Sequence, residues 1–309
     1  MNKLACIIAA ACAAAAFASP AAAADLTLDA STGFTIPVEI RQQIVNLRVD
    51  PESSGYPIFN PATAARLGFR GSLFGARATV GPVRISGEQN GAKFRIAAIP
   101  RSYRFAFFDR DIVEGAEGII SPHELPYDNV VFRLRDPQPG EVETRLQMAF
   151  NRAGGLYAPL VLGDRTVFVE FSLLQPHSLA TASAGALVAA SHGGEWSGEA
   201  RPALIKFGIE RPIRPMRLAR PLEIGGFALS ALHVRTGDHR GNFQLPPDAA
   251  PPPSSEAGQD PDEIVVTGNV QRGRARLYTT IGLDRLSACS SLTYTQATKT
   301  LTLRCLPLA

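Results

Sequence analysis

Few residues of this chain have the type and spacing that chemistry demands, and the densest candidate is the turn Asp50-Pro51-Glu52-Ser53-Ser54-Gly55. Asp50 and Glu52 are carboxylates two residues apart, a pair able to sit together for acid–base work, although a turn of this composition is read first as solvated. The five histidines, His123, His177, His192, His233 and His239, are scattered. None shows metal spacing with cysteine or with a second His on a helix, so they are assigned to surface and turns and no metal or cofactor is expected. No Gly-x-Ser-x-Gly elbow exists, since Ser183 has Thr181 two residues before it, and no glycine-rich phosphate cradle is present. Trp196, the only tryptophan, lies in Gly193-Gly194-Glu195-Trp196-Ser197-Gly198, a loop suited to surface packing or to the rim of a cleft. Thr236-Gly237-Asp238-His239 reads as a plain turn.

The elements that must position these residues are mostly strands. Segments with helical period are few and short, while β-branched alternation and Gly/Pro punctuation run throughout, so a mostly β fold with few short helices is predicted. The chain also repeats its order of events once. In the first pass a strand at 44–49 enters the Asp50 turn, and a short helix at 61–67 ends in Gly68. A hairpin at 78–85 and a strand at 94–97 come next, then the segment 118–126 and a strand at 129–134. In the second, a strand at 167–171 enters the turn Ser172-Leu173-Leu174-Gln175-Pro176-His177, and an alanine-rich helix at 180–190 follows. Residues 222–229 mirror the first hairpin, 280–286 mirror 118–126, and 301–303 form the last strand. Turn formers cluster at 136–140, which divides the chain into lobes at 25–136 and 137–309. The Pro/Ala/Ser-rich stretch at about 245–262 reads as a flexible insert in the second lobe.

The N-terminus has the order of a secretory signal: Lys3, an uncharged apolar run over 4–17, and Ala22-Ala23-Ala24 before Asp25, which predicts cleavage after Ala24. The run is short for a bilayer span. Cys12 raises lipidation, but Ala9 stands where a bulky apolar residue is required three positions earlier. Export, with a periplasmic destination, is therefore expected, and no later segment is apolar and long enough to span a membrane. The whole chain has 31 basic and 28 acidic side chains. Removing 1–24 takes away Lys3 alone and leaves a charge near neutral, which attracts no nucleic acid. Cys289 and Cys305 remain, flanking two alternating stretches joined by a polar turn. A disulfide across the base of that hairpin is predicted, closing a loop worth about 3 kcal/mol in the chain-entropy model.

The order of strand, Asp-containing turn, alanine-rich helix ending in Leu-Gly, Val-Gly hairpin and Ile-Gly-x-x-x-Leu resembles the retropepsin-like aspartic proteases, and two copies resemble the bilobal arrangement of that superfamily. The resemblance implies two retropepsin-like β-barrel lobes over roughly 44–134 and 167–305. It also implies a catalytic aspartate from each lobe, in an Asp-Thr-Gly turn, sharing one proton across a water. Asp50 stands at the first aspartate, with Pro51 for threonine and Glu52 for glycine; Ser172 stands at the second, followed by Leu173 and Leu174. With no second acid there, Asp50 lacks a partner to raise its pKa. The resemblance then implies an impaired aspartic-type endopeptidase that binds an extended peptide or protein segment between the lobes, with Glu52, Ser53, Ser172 and Trp196 lining the site. Two alternatives stay open. One is an active enzyme using Asp50 twice in a homodimer. The other is an adaptor docking through 262–268, Asp262-Glu263-Ile264-Val265-Val266-Thr267-Gly268, which resembles the box that engages TonB-type energy-coupling proteins by strand addition.

Overall fold

A computed structural model describes residues 25–71, 75–236 and 277–307. The signal region with Cys12 and Ala24, the 245–262 insert, the 262–268 segment and Gly237-Asp238-His239 lie outside the described residues. Strands dominate. The first half contains β1 (Leu26–Asp29), β2 (Thr35–Ile40), β3 (Gln43–Val49), β4 (Ile58–Phe59), helix α1 (Pro61–Arg66), β5 (Gly75–Val80), β6 (Val83–Ile96), β7 (Ile99–Phe108), β8 (Gly118–Ile120) and β9 (Asn129–Arg133). The second half opens with β10 (Val142–Gln147), β11 (Ala149–Asn151), β12 (Gly155–Leu162), β13 (Arg165–Phe171), β14 (Leu179–Ala180) and helix α2 (Ala182–His192). It continues with β15 (Gly194–Trp196), β16 (Arg201–Lys206), β17 (Ile209–Ile224), β18 (Phe227–Arg235), β19 (Tyr278–Ile281), helix α3 (Leu283–Leu286), β20 (Cys289–Thr295) and β21 (Thr300–Cys305).

Period-2 patterning explains the strands. In β3, Val45, Leu47 and Val49 are fully buried, while Asn46 and Arg48 between them, on the other face, are exposed and half-buried. The tight link from β2 is made by Arg41 and Gln42, both at positive φ, the twist a two-residue hairpin demands. Six strands close into a barrel in the order β2-β3-β8-β4-β7-β6, with β2 pairing β6 at Glu39↔Arg95 and Ile40↔Phe94, and β5 added outside β6.

The second half repeats these pairings with the same directions. The parallel pair β3–β8 corresponds to β13–β19, antiparallel β4–β8 to β14–β19, parallel β4–β7 to β14–β18, and antiparallel β6–β7 to β17–β18. Helix α2 is capped by Thr181 and ends at Gly193 in the left-handed region (φ 71°). Gly185 lets it press on β18, since a Cβ there would lie 2.4 Å from Val234 Cγ1. No ladder joins β12 to β17 among the described residues, so this second ring stays open on that side.

The register corrects one correspondence drawn from sequence. Hairpin β5–β6, turning at Gly81-Pro82, matches β16–β17, turning at Phe207-Gly208. The 222–229 hairpin is the turn of β17–β18 and matches β6–β7, which turns at Ala97-Ala98. A five-stranded sheet, β1-β9-β20-β21-β10, carries strands from both halves, and segment 134–141 crosses between them. Cys289 and Cys305 face each other across β20–β21 and are joined by a disulfide. No helix of the described residues is long and apolar enough to cross a membrane.

Candidate functional site

Two turns meet between the halves, built alike at the ends of β3 and β13. The Asp50 amide donates to the Ile120 carbonyl (3.1 Å) and the Ser172 amide to the Ile281 carbonyl (2.9 Å), the same step beyond corresponding parallel pairs. Each side chain then accepts from the amide two residues on: Glu52 N–H donates to Asp50 Oδ1 (2.8 Å) and Leu174 N–H to Ser172 Oγ (3.2 Å). The turns are bonded to each other as well. Asp50 Oδ2 accepts from the Leu173 amide (2.8 Å), and Arg48 Nη2 donates to the Leu173 carbonyl (3.1 Å). Asp50 and Ser172 are both fully buried. Ser53 is buried beside them and gives its amide to the Asp50 carbonyl (3.0 Å); its hydroxyl has no hydrogen-bond partner among the described residues.

Glu52 overturns the expectation of a solvated turn. It is 7% exposed, and its carboxylate pairs with Lys206 Nζ at 2.7 Å. Lys206 ends β16, beside the Phe207-Gly208 turn, so the tip of hairpin β16–β17 is brought down onto the Asp50 turn. A third carboxylate joins from β13: Glu170 is buried two residues before Ser172. The cluster is therefore Asp50, Glu52 and Glu170 around one ammonium.

Its electrostatics follow from burial. Burial pushes Asp50 up to about 7, assisted by the Glu52 charge and opposed by the two amide hydrogen bonds. Burial pushes Glu170 up to about 8, again with Glu52 adding repulsion. Burial also works against the Lys206 ammonium, but the three carboxylates outweigh it and hold its pKa above the ordinary value. The expectation that Asp50 has nothing to raise its pKa is thus corrected: desolvation and its neighbour two residues on do so without a second aspartate.

Little room is left over the carboxyls. Gln175 Nε2 donates to the Ile205 carbonyl. Ile205, Phe207, Ile209 and Ile213 of the hairpin pack with Val80, Ile85 and Phe108 of the first half, in a small apolar core separate from the main one. Phe108 and Phe207 meet edge to face at 4.8 Å between centroids. The hairpin therefore lies where an extended segment between the lobes was expected.

Trp196 stands apart. It pairs with Met216 across β15–β17, packs against the main core and carries the Arg214 guanidinium 4.9 Å from its ring centre. No hydrogen bond or ion pair among the described residues links it to Asp50, Glu52 or Ser172. Sequence reasoning missed Glu170 and Lys206. The signals were there: a lone acid inside the apolar run Val167-Phe168-Val169-Glu170-Phe171, and one of the few lysines, set in Leu204-Ile205-Lys206-Phe207.

No protein-family model matches the chain, and neither does any curated protein. Among solved structures it is similar to the EIAV protease in complex with the inhibitor HBY-793, at 18% identity and a TM-score of 0.22, over 28% of this chain and 79% of that one. It is also similar to the retroviral protease-like domain of Ddi1 from Leishmania major, at 16% identity and a TM-score of 0.22, over 30% of this chain and 71% of that one. Likenesses this low carry no mechanism. What the site can do is read from its own atoms.

Proposed function

We propose that this chain is an exported, periplasmic aspartic-protease-like protein that does not hydrolyse peptides, and that the extended segment held across its paired turns is its own hairpin β16–β17. The observation carrying this reading is the partner of Asp50. Where a second acid and a water would have to stand, Asp50 meets the Leu173 amide, with Ser172 at the corresponding step. Asp50 accepts one backbone N–H on each oxygen, and the group facing it from the second turn is an amide donor rather than an acid, so no second carboxyl is there to share a proton and a water with it. The disulfide is in keeping with an oxidising compartment.

An external peptide or protein segment then binds only by displacing the hairpin, which costs the Lys206–Glu52 pair and the apolar tip. A homodimer that pairs two copies of Asp50 fits poorly, because β9 of the first half is already laddered to β20 of the second. An active enzyme keeps one point in its favour: Asp50 and Glu170 hold protons near neutral pH in one buried cluster, as a carboxylate pair engaged in acid–base work must. Incubating the mature protein with unfolded protein at acid and neutral pH, with and without an aspartic-protease inhibitor, separates the readings. No cleavage above the Asp50→Ala variant is expected. Inhibitable cleavage lost in Asp50→Ala overturns the proposal.

A further inference from the structure

The histidines that sequence spacing assigned to surface and turns include a pair that the fold brings together. His177, in the turn before β14, and His233, on β18, have ring centres 4.7 Å apart. With Asp284, in the first turn of α3, each offers one ligand atom, all within 4.8 Å of one another. We propose that His177, His233 and Asp284 form a binding site for a divalent transition-metal ion, zinc by preference. Two imidazoles and a carboxylate are the donor set of three-ligand zinc sites, which leave a further position for water or another donor.

The geometry is built rather than accidental. Ser178 ties the three ligand segments together: its carbonyl accepts from the His233 amide (2.8 Å), and its amide and hydroxyl both donate to Asp284 Oδ1 (2.8 and 2.7 Å). Carboxylate ligands are oriented by such outer hydrogen bonds. The Asp284 amide in turn donates to the Pro176 carbonyl, next to His177 (3.0 Å). Gly282 permits that approach, because a Cβ there would lie 2.5 Å from the His177 carbonyl oxygen.

His233 Nδ1 is buried with no hydrogen-bond partner among the described residues, a lone polar atom of the kind that marks an unfilled role. The repeat supplies a control. At the corresponding register positions the first half carries Tyr56, Ala106 and His123, and His123 Nδ1 is bonded to the Tyr294 hydroxyl (2.7 Å). The fold alone does not produce the cluster.

One cation already competes for it. The exposed Arg201 guanidinium sits 2.7 Å from His177 Nε2, so a metal at that nitrogen requires Arg201 to swing into solvent. This gives a test that a surface histidine network would not pass. Zinc is titrated calorimetrically into the metal-free mature protein, with cobalt absorption as a second readout of imidazole ligation, and folding of every variant is checked by circular dichroism. A single zinc is expected to bind. His177→Ala and His233→Ala should each weaken it, and Ser178→Ala should weaken it by about tenfold or more through Asp284. Arg201→Ala, at an exposed position, should tighten it. If the wild type and Arg201→Ala take up zinc no better than a His177→Ala/His233→Ala double variant, the proposal is overturned.

Discussion

The turn after β3 and the turn after β13 share a backbone plan and differ in chemistry. Each starts one residue past a parallel pair, and each folds its first side chain back onto the amide two residues on. In one that side chain is a carboxylate, in the other a hydroxyl. Because the serine brings no charge, the cross-turn contact becomes an amide donating to Asp50 rather than two acids dividing a proton. Two further buried acids flank the turns, Glu52 two residues after Asp50 and Glu170 two residues before Ser172, and Lys206 pairs with Glu52. A pseudo-symmetric scaffold thus fixes where two groups meet and leaves open what they are.

The largest disturbance of this contrast should come from the cation. Lys206→Met leaves three carboxyls without their counter-charge, and a loss of about 3 kcal/mol is expected, at the low end for a broken ion pair because part of the lysine stays exposed. Urea denaturation measures it; an unchanged midpoint would mean that the cluster is balanced some other way.

Next comes pH. Asp50 at about 7 and Glu170 at about 8 lie above the values near 4 that such groups have in an unfolded chain. The folded state therefore binds more protons across that window, and stability should fall as pH rises from about 4 to about 8. Glu170→Gln should flatten part of that slope, which denaturation curves at several pH values would show.

The two turns can then be compared directly. Asp50→Ala strands the Glu52 and Leu173 amides and should cost about 2 kcal/mol. Ser172→Ala removes the acceptor for the Leu174 and Gln175 amides beside a partly exposed Leu174, and should cost about 1 kcal/mol. Equal losses in thermal unfolding would erase the asymmetry.

Much of the scaffold was legible in the sequence because it is local. The alternation over 44–49, the small-residue helix before Gly193 and the cysteines flanking a hairpin each follow from periodicity or spacing within a few residues. The long strand β17 was not, since it holds Pro212, Pro215 and Pro221, residues that punctuate strands; Pro221 falls in a register shift between Arg217 and Leu222, while Pro212 and Pro215 stay in register opposite Pro202 and His233. With β17 unread, the hairpin at 222–229 was matched to β5–β6 instead of to β6–β7. Asp50 and Ser172 could be placed by the order of motifs around them. The burial of Glu52 could not be read, because a Glu among Pro, Ser and Gly looks solvated until Lys206 descends from a hairpin far along the chain. The His177, His233 and Asp284 cluster was hidden for the same reason, its members lying on three elements that only the sheet order unites.

The Leu173 amide reports most directly on the contact that sets this site apart. Its hydrogen exchange, followed by NMR in the wild type and in Asp50→Ala, should be slow in the first and faster by about tenfold or more in the second, beyond any global loss of stability. Rapid exchange in the wild type, or rates that differ only by the global change, would mean that Asp50 does not hold the opposite turn and that the closed site described for it does not exist.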